Sequence, residues 1–271
     1  MDEQLRGLSR GGDDPEQAAR YLRAALRAGE VDPERVALAA HLGHPAARRA
    51  LDRVDPPASL RAWILDFRAF GQQVFVRMQC AALGAALPAD RARREALGRI
   101  LAACEAWATD PCPDTQQTVE DVIVERLTPS LQETVALRQN PAAWQIVDAA
   151  RTAATLTRPG WEPEVAIPVT LPPDAPEVEG ILARLRKAGT QLEWARRGEG
   201  WVARLSDCGF VGAGGLAQAL APLCPLKPME ILGLARPFRE RAAPALFAAR
   251  LAGEVAVRDA IEHALSPDLG L

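Results

Sequence analysis

Prolines and glycines cut this chain into short pieces, and their placement dictates helices. Asp14-Pro15, Asp32-Pro33 and His44-Pro45 recur early, with Gly29 and Gly43 between them. An aspartate before a proline is a helix start: the carboxylate accepts from a free backbone N–H, and the ring suits the first helical position. A glycine past the last apolar position is a helix stop. Asp14 to Gln17 reads as a capping box opening a helix with Ala18, Tyr21, Leu22, Ala25 and Leu26 on one face. The second helix presents Val36, Leu38, Ala39 and Leu42, and a third runs through Ala46, Ala47, Ala50 and Leu51. Short helices with joints of two or three residues are the grammar of a helical-repeat stack.

After Pro56-Pro57, Ser59 is expected to cap one long helix over 60–87, apolar nearly all round and central to the domain. Asp90 caps the next, 91–108, with Leu97, Ile100, Leu101, Cys104 and Trp107 inward. Asp114 to Gln117 reads as a further capping box, for a helix to about 127, and Asn140-Pro141 opens one to about 156.

The pattern changes at Arg158 to Trp161. Val165, Ile167 and Val169 alternate with Ala166, Pro168 and Thr170, which predicts an edge strand because proline cannot donate to a ladder. A helix over 175–188 follows, boxed by Asp174 and Glu177. Residues 191–194 and 201–205 then flank a charged loop, Arg196 to Gly200, as a hairpin. Helices broken at Pro222, Pro225, Pro228, Pro237 and Pro244 complete the chain. The expected architecture is mainly α: a helical-repeat-like domain over 1–157 and a small α+β domain over 158–271. One internal echo exists. Residues 24–42 and 248–265 both read helix, Gly-Glu-Val, helix, through duplication or through shared alanine and arginine content.

Two stretches carry a family resemblance. Residues 21–51 and 91–114, the latter with Arg94, Ala103, Glu105, Ala106, Trp107, Pro111 and Cys112, resemble an immunity-protein-like helical module of poorly characterised myxobacterial-type proteins. The resemblance covers about residues 15–155. It implies an all-α scaffold that binds a protein, and no catalytic residue follows from it. Pro113-Asp114-Thr115 stands where such proteins often carry acidic and histidine residues, which counts against a ligand role for Cys112.

Composition narrows the chemistry. Thirty-two basic residues against 35 acids give a net charge of −3. That balance argues against nucleic acid, which would need a folded stripe such as Arg91, Arg93 and Arg94 with Arg48 and Arg49. Only Lys187 and Lys227 are lysines, the mark of a GC-rich bacterial genome. No apolar run reaches membrane-spanning length and no secretory leader is expected. Cys80, Cys104, Cys112, Cys208 and Cys224 form an odd, sparse set, which suits a reduced cytoplasm better than a disulfide framework.

The candidate chemistry is thin. His41 and His44 read as helix-end capping or packing rather than a metal pair. No cysteine pair has zinc spacing. Gly212 to Ala217 matches a dinucleotide-binding glycine pattern, but no parallel βαβ unit is expected around it, so no cofactor and no metal are assigned. Glu177/Glu179 and Asp13/Asp14 read as helix-start acids. Asp207, Cys208 and His263 are the only catalytic candidates, which a small-molecule or hydrolytic enzyme would bring into one deep pocket. Trp194, Arg196, Arg197 and Trp201 bracket the hairpin and are the interaction candidates, with core packing as the competing role for the tryptophans. The preferred function is non-catalytic: a scaffold, adaptor or immunity-like partner of another protein.

Overall fold

Proline and glycine do place the early helices. The computed structural model describes residues 15–52, 59–87, 91–127, 149–150, 152–238 and 241–269. Helices α1 (Pro15–Ala28), α2 (Pro33–His41) and α3 (Pro45–Ala50) each begin on a proline. Gly29 and Gly43 end the first two at φ +70° and +99°, where a side chain would be strained. Asp32 Oδ1 accepts from the Glu34 N–H at 3.0 Å. Asp13 and Asp14 lie outside the described residues. In α1 the buried face is Ala19, Leu22 and Ala25, and Tyr21 turns outward at 41% exposure.

His44 caps a helix start, not a helix end. Its Nδ1 accepts from the Ala47 N–H at 3.3 Å at the head of α3. His41 is a packing residue. Its Nε2 meets the Trp63 carbonyl at 3.0 Å, the Trp63 indole returns a bond to the His41 carbonyl at 3.2 Å, and its ring lies against Phe67 and Phe70. This aromatic knot explains why the expected helix over 60–87 is broken. The chain forms α4 (Leu60–Asp66), a 3₁₀ turn over Phe67–Phe70, and α5 (Gln72–Ala85), with Gly71 at φ +93° between them. A continuous helix would space Phe67 and Phe70 by its own pitch. The tighter turn brings both to the His41 ring instead.

Helices α6 (Arg91–Thr109) and α7 (Pro113–Leu127) pack in series on α5. Leu97, Ile100, Leu101, Cys104 and Trp107 are all buried, as the periodicity predicts. Asp90 and Asn140-Pro141 lie outside the described residues. The head of α7 is held by Thr115, not Asp114. The Thr115 hydroxyl accepts from the Cys112 N–H at 3.1 Å and lies 2.8 Å from the Asp110 carbonyl.

Between residues 159 and 243 the chain forms a separate compact unit. Its sheet has strands β1 (Val165–Val169), β2 (Gln191–Arg197) and β3 (Gly200–Asp207) in the antiparallel order β1-β3-β2. Helices α8 (Pro176–Lys187), α9 (Gly212–Leu220) and α10 (Pro228–Ala235) supply the rest of its core, where Val178, Leu205, Leu216, Leu220 and Ile231 have no exposed surface. Ala175, without a side-chain bond, stands at the head of α8, so the expected Asp174–Glu177 box does not form. Arg241 clasps the ends of this unit. Its guanidinium lies 4.2 Å from the Trp161 ring centre and 4.0 Å from that of Phe238, and it donates to the Glu162 carbonyl at 2.7 Å and the Pro237 carbonyl at 3.0 Å.

The second domain expected over 158–271 is too long. Residues 244–271 belong with 1–158. Helices α11 (Ala243–Ala252) and α12 (Glu254–Leu269) bring the chain back, and Val257, Ile261 and Leu265 bury one face of α12 on α5 and α2. Two glutamines of α5 hold both ends of the excursion. Gln72 Nε2 donates to the Leu156 and Arg158 carbonyls at 2.6 and 2.9 Å, and buried Gln79 Oε1 accepts from the Ala245 N–H at 2.9 Å. They stand two turns apart on one helix face. The echoed segments both fall in this unit, and each turns through a left-handed glycine, Gly29 or Gly253.

Two outcomes follow. Gln79→Leu strips the Ala245 N–H of its acceptor and is expected to cost about 1–3 kcal/mol in a urea unfolding curve. Burial lowers the His44 pKa below its ordinary 6.5. The unfolded chain therefore binds the proton more tightly, and this contribution to stability is complete above 6.5 and is lost as pH falls through the lowered folded value. His44→Asn keeps an acceptor at the helix head without a titrating ring. The drop in urea midpoint between pH 7 and pH 5 is expected to be smaller in that variant than in the wild type.

Candidate interaction surface

The β2–β3 hairpin is tighter than its charged residues suggest. Gly198 and Glu199 alone form the turn, with Gly198 at φ +60°, and Arg197 pairs with Gly200. The expected long loop over Arg196 to Gly200 is thus a two-residue turn, and Arg196 and Arg197 are strand residues. Arg196 lies opposite Trp201, and Trp194 opposite Ala203.

Strand alternation sorts the side chains. Leu192, Trp194 and Arg196 share the helix-covered face with Trp201, Ala203 and Leu205, while Glu193, Ala195 and Arg197 share the other with Arg204. Both tryptophans therefore pack at the margin of the core. Trp194 donates its indole N–H to the Leu171 carbonyl at 3.0 Å, which anchors the chain leaving β1. The arginines point outward: Arg196 and Arg197 are exposed, as is Glu193. None of the three forms an ion pair with another described residue.

The two edges of the sheet differ. Beside β1 the chain is occupied: Thr170 donates both its N–H and its hydroxyl to the Leu223 carbonyl, at 2.8 and 2.9 Å, and Pro168 has no N–H to offer. No described strand pairs with the outer side of β2, and no residue of β2 is fully buried. An open edge of this length is a template for another strand.

The catalytic candidates fall in both units. Asp207 and Cys208 have no exposed surface at the end of β3. The Cys208 N–H donates to the Phe238 carbonyl at 3.1 Å, and its thiol lies 3.4 Å from the Ala235 carbonyl. His263 belongs to the other unit, on α12. The sequence grouped His263 with Cys208 in one domain, whereas by contacts residues 244–271, His263 among them, cluster with 1–158. The glycine segment is also reassigned. β3 ends at Asp207, a 3₁₀ turn over Gly209–Val211 follows, and Gly212 opens α9, so no strand feeds the glycines. Gly209 has the strictest demand. Its φ is +61°, and a Cβ there would lie 2.5 Å from the Ala188 carbonyl oxygen and 2.6 Å from the Thr190 nitrogen.

All five cysteines are free thiols. The Cys104 thiol bonded beside Cys80, together with burial, pushes the Cys80 thiol well up, and burial pushes Cys224 up to about 11. A bond from Thr115 pulls the Cys112 thiol down. Among the described residues no group of three or more histidine, cysteine or carboxylate side chains is placed to hold a metal ion. A cleft of about 330 Å³ lies over Glu34, His41, Asp66 and Phe70, and one of about 550 Å³ over Glu16, Arg23, Arg48, Arg49 and Asp52. In the second, Arg23 is bonded to the Arg49 and Ala50 carbonyls and to Asp52, and Arg48 Nε to the Ala40 carbonyl at 3.0 Å, so these two guanidinium groups act as structural ties. The side chains of Arg91 and Arg93 lie outside the described residues. No described helix is long and apolar enough to cross a membrane.

Comparison with known proteins returned no match to any family model, any curated protein or any solved structure.

Gly209→Ala is expected to lower stability by about 2–4 kcal/mol, through backbone strain and overlap together. Gly212 has φ +67° with open space beside it. Gly212→Ala should cost clearly less in the same urea titration; equal losses would show that the close approach at Gly209 is relieved by backbone movement.

Proposed function

We propose that this chain is a non-catalytic protein-interaction module, a scaffold, adaptor or immunity-like partner, working in a bacterial cytoplasm. The observation that carries the reading is the open outer edge of β2, with Arg196 and Arg197 exposed along it. Main-chain groups along such an edge supply affinity, and the side chains beside them supply selection. The rest of the unit supports the role by packing the hairpin onto a helix-covered core. The Trp194 bond to the Leu171 carbonyl ties the hairpin to the chain leaving β1, so little order has to be created when a partner binds. The two most reactive groups near the sheet, Asp207 and Cys208, are closed into the core, which favours binding over catalysis at this end of the molecule.

Affinity capture from the cells that make the protein tests the reading. Wild-type bait and a charge-reversed bait, Arg196→Glu with Arg197→Glu, are compared after circular dichroism and melting show both folded. The expected outcome is a specific protein retained by the first and lost from the second. Equal recovery on both baits, or no specific protein on either, would defeat the proposal.

A further inference from the structure

The charges on β2 say more about the occupant of its edge. An antiparallel neighbour related by a twofold axis perpendicular to the sheet sets residues opposite one another whose numbers have a constant even sum, since partners must share a face. With the axis at Ala195, Glu193 faces Arg197 and Arg197 faces Glu193. In the same register Trp194 faces Arg196, twice over. Both charged pairs are complementary, and each arginine on the tryptophan face meets a ring.

Neighbouring registers lose this match. An axis at Trp194 sets Glu193 against Ala195 and Arg197 against Gln191. An axis at Arg196 sets that arginine against itself and Glu193 against Glu199. An axis at Glu193 sets two carboxylates face to face. Among these, only the register about Ala195 sets Glu193 opposite Arg197 at both symmetric positions and sets no like charges face to face.

We infer that the β2 edge pairs with the β2 edge of a second copy of this chain, in antiparallel register about Ala195, to form a continuous six-stranded sheet ordered β1-β3-β2-β2-β3-β1. The inference rests on the reading of β2 as an interaction edge and names its occupant. Exposure agrees with it: Glu193, Arg196 and Arg197 are exposed and form no ion pair with other described residues. At the other outer strand, Pro168 has no N–H to offer a further strand, and Thr170 just beyond β1 is bonded to the Leu223 carbonyl, so β2 is the better edge for pairing.

Sedimentation velocity of the full chain, across a hundredfold range of concentration, reads the assembly. Wild type is expected to pass from monomer to dimer. Glu193→Arg and Arg197→Glu each set like charges opposite at two symmetric positions, and each should weaken the dimer roughly tenfold or more. The double variant Glu193→Arg/Arg197→Glu restores opposite charges and should recover most of the loss. Ala195→Cys, in a Cys112→Ser/Cys224→Ser background, should form a disulfide to its symmetry mate under mild copper-phenanthroline oxidation, identified by mass spectrometry. Should a charge reversal fail to fold, this cross-link decides alone. A monomer at every concentration, a dimer indifferent to the single reversals, a double variant as weak as the singles, or no cross-link through Ala195→Cys would each overturn self-pairing. A monomer whose capture of a different protein is still abolished by Arg196→Glu/Arg197→Glu would overturn self-pairing and leave the interaction reading standing. A dimer that captures no other protein would support self-pairing and overturn the adaptor role.

Discussion

The architecture depends on one helix, α5, holding both ends of a long excursion of the chain. Gln72 receives the departing chain at Leu156 and Arg158, and Gln79 receives the returning chain at Ala245. Two turns of helix fix the distance between these points to roughly 10 Å. That constraint lets residues 159–243 fold as a unit of their own while α12 closes the core around α5. Gln72 gathers two carbonyls nearer the surface, while Gln79 suits the task because it satisfies a backbone N–H that would otherwise be buried without a partner. Burying such a group costs more than a single hydrogen bond contributes elsewhere.

The excursion repeats the device on a smaller scale. Arg241 lies between the Trp161 and Phe238 rings and gathers the Glu162, Pro163 and Pro237 carbonyls. An arginine suits this because its planar fork stacks on rings and donates in several directions at once. With its ends tied and its hairpin anchored through Trp194, the unit presents a sheet whose outer strand β2 carries no further described strand. The open edge therefore belongs to a strand anchored in the core of the unit.

Much of the first unit was legible because Asp-Pro steps and glycines act locally. The starts at Pro15, Pro33 and Pro45, the stops at Gly29 and Gly43, and the inward face of α6 all depend on neighbours within a turn or two. The edge strand Val165–Val169 was legible for the same reason, since Pro168 cannot serve a central strand. The interruption at Gly71 was not, because its cause is the distant His41 ring. The same holds for His44, whose imidazole caps the next helix although its position suggested the end of the previous one. Of the candidate surface, Trp194, Arg196, Arg197 and Trp201 stood out in the sequence, but the turn was read too long. That error hid the alternation that puts Trp194 and Arg196 on one face and Arg197 on the other.

The sequence by itself determined the helical first part, the change to a small sheet near Pro159 and the edge character of β1. These follow from backbone rules that a residue imposes on itself and its neighbours. The tertiary structure decided that residues 244–271, with His263, belong to the first unit while Asp207 and Cys208 belong to the second, and that β3 is the central strand. Those depend on where buried faces meet over long separations. Val257, Ile261 and Leu265 describe an apolar stripe in any reading, but only the presence of α5 and α2 says what it covers.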